Sequence, residues 1–250
     1  MFVDTHCHLY QEYYDDIKAV IKEANENDVN GFIVAGCDMN SNKEVLDLLK
    51  FKNVYGTLGI HPEYVSNYTT FDLNLLEDLI KTKKVVGIGE IGLDYHYCKD
   101  NKLDQQKLFK AQLEIADKYN LPVVIHSREA TEDTINILKQ FPNVKGVIHS
   151  FSGSLEVAKI YIKMGYKLGI NGVVTFKNCN LIDILPLFVN DIVLETDSPY
   201  LTPHPYRGTK NSPKYIKNIA LFICQSLNIS EIDLANITNS NIKSIFDIDV

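Results

Sequence analysis

Histidines and carboxylates recur in this sequence at the ends of short apolar runs, where their side chains could bind metal ions. These residues are His6, His8, His61, Glu90, His126, His149 and Asp197. Imidazole nitrogens and carboxylate oxygens are common ligands of divalent cations. His6 and His8 are two residues apart, so on an extended segment both imidazoles point to the same side. The pattern therefore predicts a metal centre.

The two carboxylates follow apolar segments in which an isolated charge would be costly. Glu90 follows Val85–Gly89, and Asp197 ends a segment that begins at Ile192. A buried carboxylate needs a partner or a bound cation. Four imidazoles and two carboxylates exceed what one ion with an open position needs, and a carboxylate can bridge two ions about 3.5–4 Å apart. We predict two divalent ions per chain, and the ligands leave Mg, Mn, Zn and Co open.

A packing role is the alternative at each position, because a single histidine at a strand end is more often a hydrogen-bonded residue than a ligand. The chain has 7 histidines, however, and those named above all fall at predicted strand ends. The remaining two, His96 and His204, lie in the loops after the predicted fourth and eighth strands. Histidines with unrelated packing roles would scatter, so their shared placement favours one site.

Short runs rich in Val and Ile alternate with segments of helical spacing. The runs are Phe2–Thr5, Gly31–Ala35, Val54–Ile60, Val85–Gly89, Pro122–Ile125, Gly146–Ile148, Tyr166–Ile170 and Ile192–Glu195. Their continuous apolarity predicts parallel strands buried on both faces, and apolar stripes such as Leu108, Ala111, Ile115 and Tyr119 predict the helices between them.

This alternation predicts an α/β fold, a single (β/α)₈ TIM barrel that forms one domain over residues 1–250. A doubly wound open sheet is the competing architecture, but His6 and His8 stand where its ligand-binding glycines would follow the first strand. In a barrel the carboxyl ends of the strands converge on one face, so the predicted ligands would meet there.

The composition describes an ordinary globular protein without a generally basic surface. With 25 Lys+Arg against 32 Asp+Glu, the net charge of −7 argues against nonspecific binding of duplex DNA. The cysteines are scattered and predict reduced thiols: Cys7, Cys37, Cys98, Cys179 and Cys224. We find no leader-like segment and no long apolar run, so we expect a cytoplasmic protein without membrane association. The sequence indicates no obligatory protein partner.

The two arginines of the chain are placed to hold phosphate. Arg128 lies two residues after His126, and Arg207 lies in the proline-rich loop after Asp197. A guanidinium matches two phosphate oxygens, whereas the alternative role is a salt bridge within the loops. Nearby tyrosines could stack on the bases of a single strand or simply pack within the loops: Tyr64, Tyr95, Tyr200 and Tyr206.

Six motifs, in this order, resemble the TatD family of metal-dependent deoxyribonucleases in the amidohydrolase group of (β/α)₈ barrels. They are Asp4–Leu9, Gly59–Pro62, Gly89–Tyr95, Pro122–Arg128, His149–Gly153 and Leu194–Tyr200, which span most of the chain. The resemblance implies that His6, His8 and Asp197 bind one metal ion, that His126 and His149 bind a second, and that Glu90 bridges them. It also implies hydrolysis of DNA from the 3′ end, with a preference for single strands.

The predicted catalytic residues are Asp197, Glu90 and His61. Metal ions lower the pKa of water, Asp197 would accept its proton, and His61 would contact a phosphate oxygen or act as an acid. The residues predicted to bind DNA are His61, Arg128, Arg207, Tyr95 and His96. Ser212 departs from the family pattern, which often has a glutamate there, and this puts the contacts of its loop in doubt.

Two alternatives remain open at this point. One is another amidohydrolase reaction, cleavage of a C–N or ester bond in a small molecule or an aminoacyl-tRNA, because this fold supports many chemistries. Many such relatives use a carboxylated lysine between their metal ions, but no lysine ends the predicted fourth or fifth strand. The other is a metal-stabilised scaffold without catalysis.

Overall fold

Eight strands form one sheet whose neighbours follow chain order, β1 to β8, in the computed structural model, which describes residues 1–97 and 99–249. The strands are β1 (Phe2–Cys7), β2 (Val29–Ala35), β3 (Val54–Leu58), β4 (Val85–Asp94), β5 (Val123–Arg128), β6 (Gly146–Ile148), β7 (Tyr166–Ile170) and β8 (Ile192–Leu194). A doubly wound sheet would reverse its strand order near the middle, so the sequential order confirms the predicted (β/α)₈ fold.

Helices occur between the strands and after the last one. They are α1 (Ile17–Asn25), α2 (Met39–Leu48), α3 (Thr70–Leu79), α4 (Lys102–Tyr119), α5 (Thr131–Leu138), α6 (Leu155–Lys163), α7 (Leu181–Ile184), α8 (Ile216–Leu227) and α9 (Glu231–Phe246). None of the helices in the described ranges is both long enough and apolar enough to cross a bilayer. Cys7, Cys37, Cys179 and Cys224 are thiols, while Cys98 lies outside the described residues.

The chain divides into two compact units, so the single domain over residues 1–250 stays a prediction. Unit 1 comprises Met1–Val34 and Ser150–Val250, whose last residue lies outside the described part, and unit 2 comprises Ala35–His149. In unit 1, β1 pairs in parallel with β2, and β7 pairs in parallel with β8. In unit 2, β3 pairs with β4, β4 with β5 and β5 with β6, all in parallel.

Within unit 1, the end of β1 is hydrogen-bonded to the segment that follows β8. The backbone N–H of Asp197 donates to the carbonyl of His6 at 2.9 Å, and the N–H of His8 donates to the carbonyl of Ser198 at 2.8 Å. The hydroxyl of Thr5 also donates to the carbonyl of Leu194 at 3.0 Å. These bonds hold the first and last strands of the chain together where the predicted ligands lie.

Three strands extend further at their carboxyl ends than the sequence predicted, and β2 begins two residues earlier, at Val29. β1 continues to Cys7, β4 to Asp94 and β5 to Arg128, so His6, Glu90 and His126 lie within strands instead of after them. The β4–β5 ladder continues because Gly92 pairs with His126, and a Cβ on Gly92 would lie 2.0 Å from the carbonyl oxygen of His126. Backbone pairing thus continues the parallel β4–β5 ladder beyond the apolar run that predicted each strand.

β3 is shorter than predicted and ends at Leu58, because side chains replace strand partners at its last predicted residues. Asn42 accepts a hydrogen bond from the N–H of Gly59 at 3.1 Å and donates to its carbonyl at 2.9 Å. Gln112 accepts from the N–H of Ile60 at 2.7 Å and donates to its carbonyl at 2.9 Å. The backbone that leads to His61 is therefore fixed by two buried amides.

Candidate metal centre

The first cluster of predicted ligands lies in unit 1 and consists of His6, His8 and Asp197, which we call the β1–β8 triad. The Nε2 atoms of His6 and His8 are 3.2 Å apart. The Oδ1 atom of Asp197 lies 3.3 Å from Nε2 of His8 and 3.8 Å from Nε2 of His6. Both histidines are buried, and Asp197 is partly accessible.

The triad fits a divalent cation. Two atoms that each lie about 2.1 Å from a tetrahedral ion are roughly 3.4 Å apart. The three separations in the triad, 3.2, 3.3 and 3.8 Å, bracket this value. Two imidazoles and one carboxylate are also a ligand set that catalytic metal sites use, with further positions left for water or substrate.

Asp4 is hydrogen-bonded to a triad residue and to a neighbour of another, although it was not predicted as a site residue. Its carboxylate is fully buried and accepts hydrogen bonds from the hydroxyl of Thr196 at 2.5 Å and from the N–H of Thr196 at 2.9 Å. Burial raises the pKa of Asp4 to about 8, although these bonds and one from the N–H of His6 oppose that effect. Asp4 thus connects the residue before Asp197 with β1, the strand that carries His6 and leads to His8.

The second cluster lies in unit 2 and surrounds Glu90, so we call it the Glu90 cluster. Oε1 of Glu90 lies 2.9 Å from Nδ1 of His126, 3.7 Å from Nε2 of His61 and 3.9 Å from Nε2 of His149. Ligand atoms of His61, Glu90 and His126 lie within 4.8 Å of one another. Since Glu90 is 4% exposed, its carboxylate needs these cationic or hydrogen-bonding neighbours.

His126 is held between two carboxylates. Its Nε2 atom lies 3.0 Å from Oδ2 of Asp94, opposite the contact of Nδ1 with Glu90. Burial lowers the pKa of His126, but hydrogen bonds to Asp94 and Glu90 outweigh this effect and raise it to about 9. Burial likewise raises the pKa of Asp94, but the hydrogen bond from His126 and backbone N–H groups bring it down to about 2. A metal ion that binds His126 must displace one of its protons.

His61 differs from the other histidines in its hydrogen bonding. Its Nδ1 atom accepts a hydrogen bond from the N–H of Glu63 at 3.2 Å, at the start of the short helix Pro62–Tyr64. The neutral imidazole therefore carries its proton on Nε2, which faces Glu90. A protonated nitrogen cannot bind a metal ion, so this geometry favours His61 as a hydrogen-bond donor over a ligand.

A third buried amide holds the end of β4. Gln105 accepts a hydrogen bond from the N–H of Asp94 at 2.8 Å and donates to its carbonyl at 2.9 Å.

In unit 1 the carboxylate of Glu195 accepts a hydrogen bond from the N–H of Ser150 at 2.6 Å. This contact joins the segment after β8 to the segment after β6.

The arginines predicted to bind phosphate are both exposed and lie over aromatic rings. The guanidinium of Arg128 is 4.6 Å from the centre of the Tyr97 ring, and that of Arg207 is 3.8 Å from the centre of the Phe176 ring. Throughout residues 1–97 and 99–249 we find no carboxylate in an ion pair with Arg207. The salt-bridge alternative for this arginine is therefore not supported.

Two other predicted DNA-binding residues are engaged by the protein itself. The hydroxyl of Tyr95 donates to Asp133 at 2.7 Å and accepts from Gln106 at 2.8 Å, and the side chain is only 6% exposed. The exposed His96 lies 2.6 Å from a carboxylate oxygen of Glu129. The structure thus favours a packing role for Tyr95, while His96 would have to exchange a partner to contact DNA.

The sequence left several supporting residues unrecognised. Asp4 and Asp94 lie inside quoted motifs, and a carboxylate between apolar strand residues was a signal for both. Gln105 and Gln112 are seven residues apart on the face of α4 that also carries Leu108 and Ile115, so they are amides within an apolar stripe. For Asn42 we find no comparable signal, because it lies in the polar first turn of α2.

Comparison with known proteins supports the family resemblance over nearly the whole chain. The model of a family described as TatD related DNase matches residues 3–247. An uncharacterized metal-dependent hydrolase of Bacillus subtilis, YabD, is 39% identical over 252 residues, or 98% of this chain and 99% of the relative. The crystal structure of the TatD homologue YjjV from Escherichia coli has a TM-score of 0.94 at 29% identity, and the match covers 99% of this chain and 98% of that one. The predicted resemblance is therefore confirmed.

Proposed function

Because the chain belongs to the TatD-related DNase family of metal-dependent hydrolases, we propose that it hydrolyses phosphodiester bonds in DNA. The proposed reaction is removal of nucleotides from the 3′ end of single strands. The observation that carries the proposal is the pair of clusters of predicted ligands, the β1–β8 triad and the Glu90 cluster, whose residues lie in the carboxyl halves of their strands or just after them.

Two divalent ions are proposed, one held by the β1–β8 triad and one held by His126 and His149. The bridging role of Glu90 stays a prediction. When bound, such ions lower the pKa of water and polarise the phosphate oxygens. The imidazole and carboxylate ligands are compatible with Mn, Zn or Co, and Mg remains open where carboxylates and water dominate.

Asp197 is the proposed proton acceptor for the attacking water. Its carboxylate is partly accessible, whereas the carboxylates of Asp4 and Glu90 are buried and hydrogen-bonded. The backbone N–H of Asp197 is bound to His6, so the carboxylate is held in place while it exchanges a proton with solvent. A general base needs both properties, reach to the water and a fixed position.

His61 is the proposed donor to the phosphate. With Nδ1 engaged by the N–H of Glu63, its Nε2–H can donate to a phosphate oxygen or to the departing oxygen. Arg128 and Arg207 would hold further phosphate oxygens, because each guanidinium stays exposed while its flat face rests on an aromatic ring.

The proposal is tested with a single strand labelled at its 3′ end, in the presence of Mg²⁺ or Mn²⁺ and after chelation. Wild-type protein should release nucleotides only with metal, and Glu90→Gln and Asp197→Asn should lose at least about 100-fold in rate. The exposed residues Glu114 and Asp117 on α4 provide matched controls, Glu114→Gln and Asp117→Asn, which should retain full activity.

Two results would contradict the proposal. Full nuclease activity in Glu90→Gln or Asp197→Asn would show that the substituted residue is not needed for the reaction. Metal-dependent hydrolysis of esters, amides or aminoacyl-tRNA without hydrolysis of DNA would favour the other amidohydrolase reactions. If metal analysis finds bound ions but no substrate is hydrolysed, the scaffold alternative is supported instead.

A further inference from the structure

A cavity of about 940 Å³ lies within unit 1, and none of the predicted metal ligands lines it. Its walls are residues 152–156, Val173, residues 176–181, Ile184 and Arg207. The volume is within the range of roughly 300–1,000 Å³ that is typical of small-molecule sites. The position of Arg207 in the loop after Asp197 predicts that it holds phosphate, and no role is predicted for the rest of these walls.

The cavity combines a flat aromatic surface with positive charge. Arg207 lies over the Phe176 ring, and Lys177 beside it is exposed. Glu156 is the single carboxylate of the lining, so the lining residues carry a net charge of +1 in a chain whose total is −7. Because a guanidinium that rests on a ring keeps its N–H edges accessible, this corner can hold an anion beside a planar group.

The cavity lining also offers hydrogen-bonding groups. Asn178 and Asn180 are exposed, and Ser152 also lines the cavity. We find no hydrogen bond that occupies either asparagine amide in the parts of the chain that the structure describes. An asparagine amide can donate and accept at once, which matches the donor and acceptor edge of a nucleobase.

The cavity is connected to the β1–β8 triad through one loop. Asp197 begins the loop that carries Arg207, and the N–H of His204 in this loop donates to the hydroxyl of Thr175 at 2.8 Å. A Cβ on Gly172 would lie 2.2 Å from the carbonyl oxygen of Leu201, so the loop rests directly on the chain that leads to Phe176. The same segment therefore presents a triad ligand at its start and a cavity cation ten residues later.

We propose that this cavity binds a nucleobase and the phosphate attached to it, as the subsite for a nucleotide next to the scissile bond. The base stacks against the Phe176–Arg207 pair, and Arg207 and Lys177 face the phosphate. This inference rests on the proposed function, because it takes DNA as the substrate. It also explains how an acidic protein selects DNA: the strand is held by a local site and not by the general surface.

The test measures binding without turnover, in the presence of a chelator. A labelled thymidine tetranucleotide and an abasic tetranucleotide with the same phosphates are titrated into the wild-type protein and into Phe176→Ala. Stacking of one base contributes enough to predict about fivefold or tighter binding of the thymidine strand by wild type. In Phe176→Ala this preference should disappear. Phe71→Ala, at a phenylalanine that is 71% exposed on α3, is the matched control and should behave like wild type.

Cys179 provides a second measurement that needs no substitution, since its thiol lines the cavity and is partly accessible. Alkylation of Cys179, located by peptide mass spectrometry, should slow about fivefold or more when the thymidine strand is present at saturating concentration. The abasic strand should protect it less. The same alkylation rate with and without the thymidine strand would overturn the proposal.

The outcomes separate this subsite from the proposed reaction. If DNA is hydrolysed but both strands bind equally, or Phe176→Ala keeps the preference, the base subsite is wrong and the nuclease assignment stands. If the thymidine strand is preferred and protects Cys179 but DNA is never hydrolysed, the subsite stands and the reaction is wrong. Failure of the wild type to bind either strand overturns the subsite.

Discussion

Gln112, in the middle of α4, is hydrogen-bonded to both backbone groups of Ile60, the residue before His61. Its amide accepts from the N–H at 2.7 Å and donates to the carbonyl at 2.9 Å. The side chain thus acts as a neighbouring strand would, at a point where β3 has already ended. Ile60 is buried beside Leu108 and Val65, so packing and hydrogen bonding fix the same residue.

Substitution of this amide should affect both stability and the position of His61. In Gln112→Leu, two buried backbone groups lose their partner, so we expect the free energy of unfolding to fall by about 2–4 kcal/mol. Urea denaturation measures this change. Gln140→Leu, at an exposed position after α5, is the control and should change stability by less than about 0.5 kcal/mol. Equal midpoints for the two variants would show that the Gln112 bonds do not stabilise the fold.

Asp94 should act on the metal centre through His126. In Asp94→Asn the imidazole loses the carboxylate at Nε2, so its orientation and basicity are no longer fixed. We expect about 10–100-fold weaker metal affinity, measured by titration calorimetry, with an unchanged circular dichroism spectrum. Asp117→Asn makes the same chemical change on the exposed face of α4 and should leave the affinity as it is. If Asp94→Asn also leaves the metal affinity unchanged, Asp94 does not position His126 for metal binding.

Metal binding should stabilise the folded chain. A ligand that binds only the native state at about 100 times its Kd adds about 2.7 kcal/mol, so Mn²⁺ should raise the Tm of wild type by several degrees. His8→Ala and Asp197→Asn remove ligands of the β1–β8 triad, and their response should be smaller. If both variants respond to Mn²⁺ as wild type does, the triad is not a metal site.

We expect both the planar shape and the charge of the Arg207 guanidinium to contribute to DNA binding. Arg207→Lys keeps the charge but removes the group that lies over Phe176 and can bind two phosphate oxygens. We expect KM for single-stranded DNA to rise by about tenfold, with a smaller change in kcat. Lys139→Arg makes the reverse exchange at an exposed position and should have no effect. If Arg207→Lys has the same kcat and KM as wild type, the planar guanidinium of Arg207 is not required for DNA binding.

The apolar pattern of the sequence predicted the strands well where they are buried on both faces. Gly146–Ile148 and Tyr166–Ile170 agree with β6 and β7 to the residue. β2 begins two residues before its predicted start, and β8 ends one residue before its predicted end. The larger errors lie at the carboxyl ends of β1, β4 and β5, where backbone pairing continues past the apolar run, and of β3, where side-chain amides replace it. Hydrophobic periodicity cannot report such bonds, because they depend on which side chains reach the strand end in three dimensions.

The candidate site likewise contains residues that local sequence predicted and residues whose partners are distant in sequence. The ligand types and their registration with strand ends predicted a shared metal site from local sequence, and the family resemblance implied which residues bind each of two ions. The hydrogen bonds of Asp4 with Thr196 span 192 residues, and those of Gln112 with Ile60 span 52 residues. Pairings over such distances follow from the fold and not from spacing, so the supporting residues were missed. The tautomer of His61 likewise required the position of the Glu63 N–H.

The hydrogen bonds that join the end of β1 to the segment after β8 set an order of events during synthesis. His6 and His8 leave the ribosome first, whereas Asp197 and Thr196 follow about three quarters of the chain later. Contacts of such long sequence separation also slow folding, because a long loop must close before they can form. An emerging chain therefore carries a histidine pair without its carboxylate, and acquires the complete triad only when β8 docks. Metal binding by the complete triad would therefore require a chain that is translated at least through Asp197.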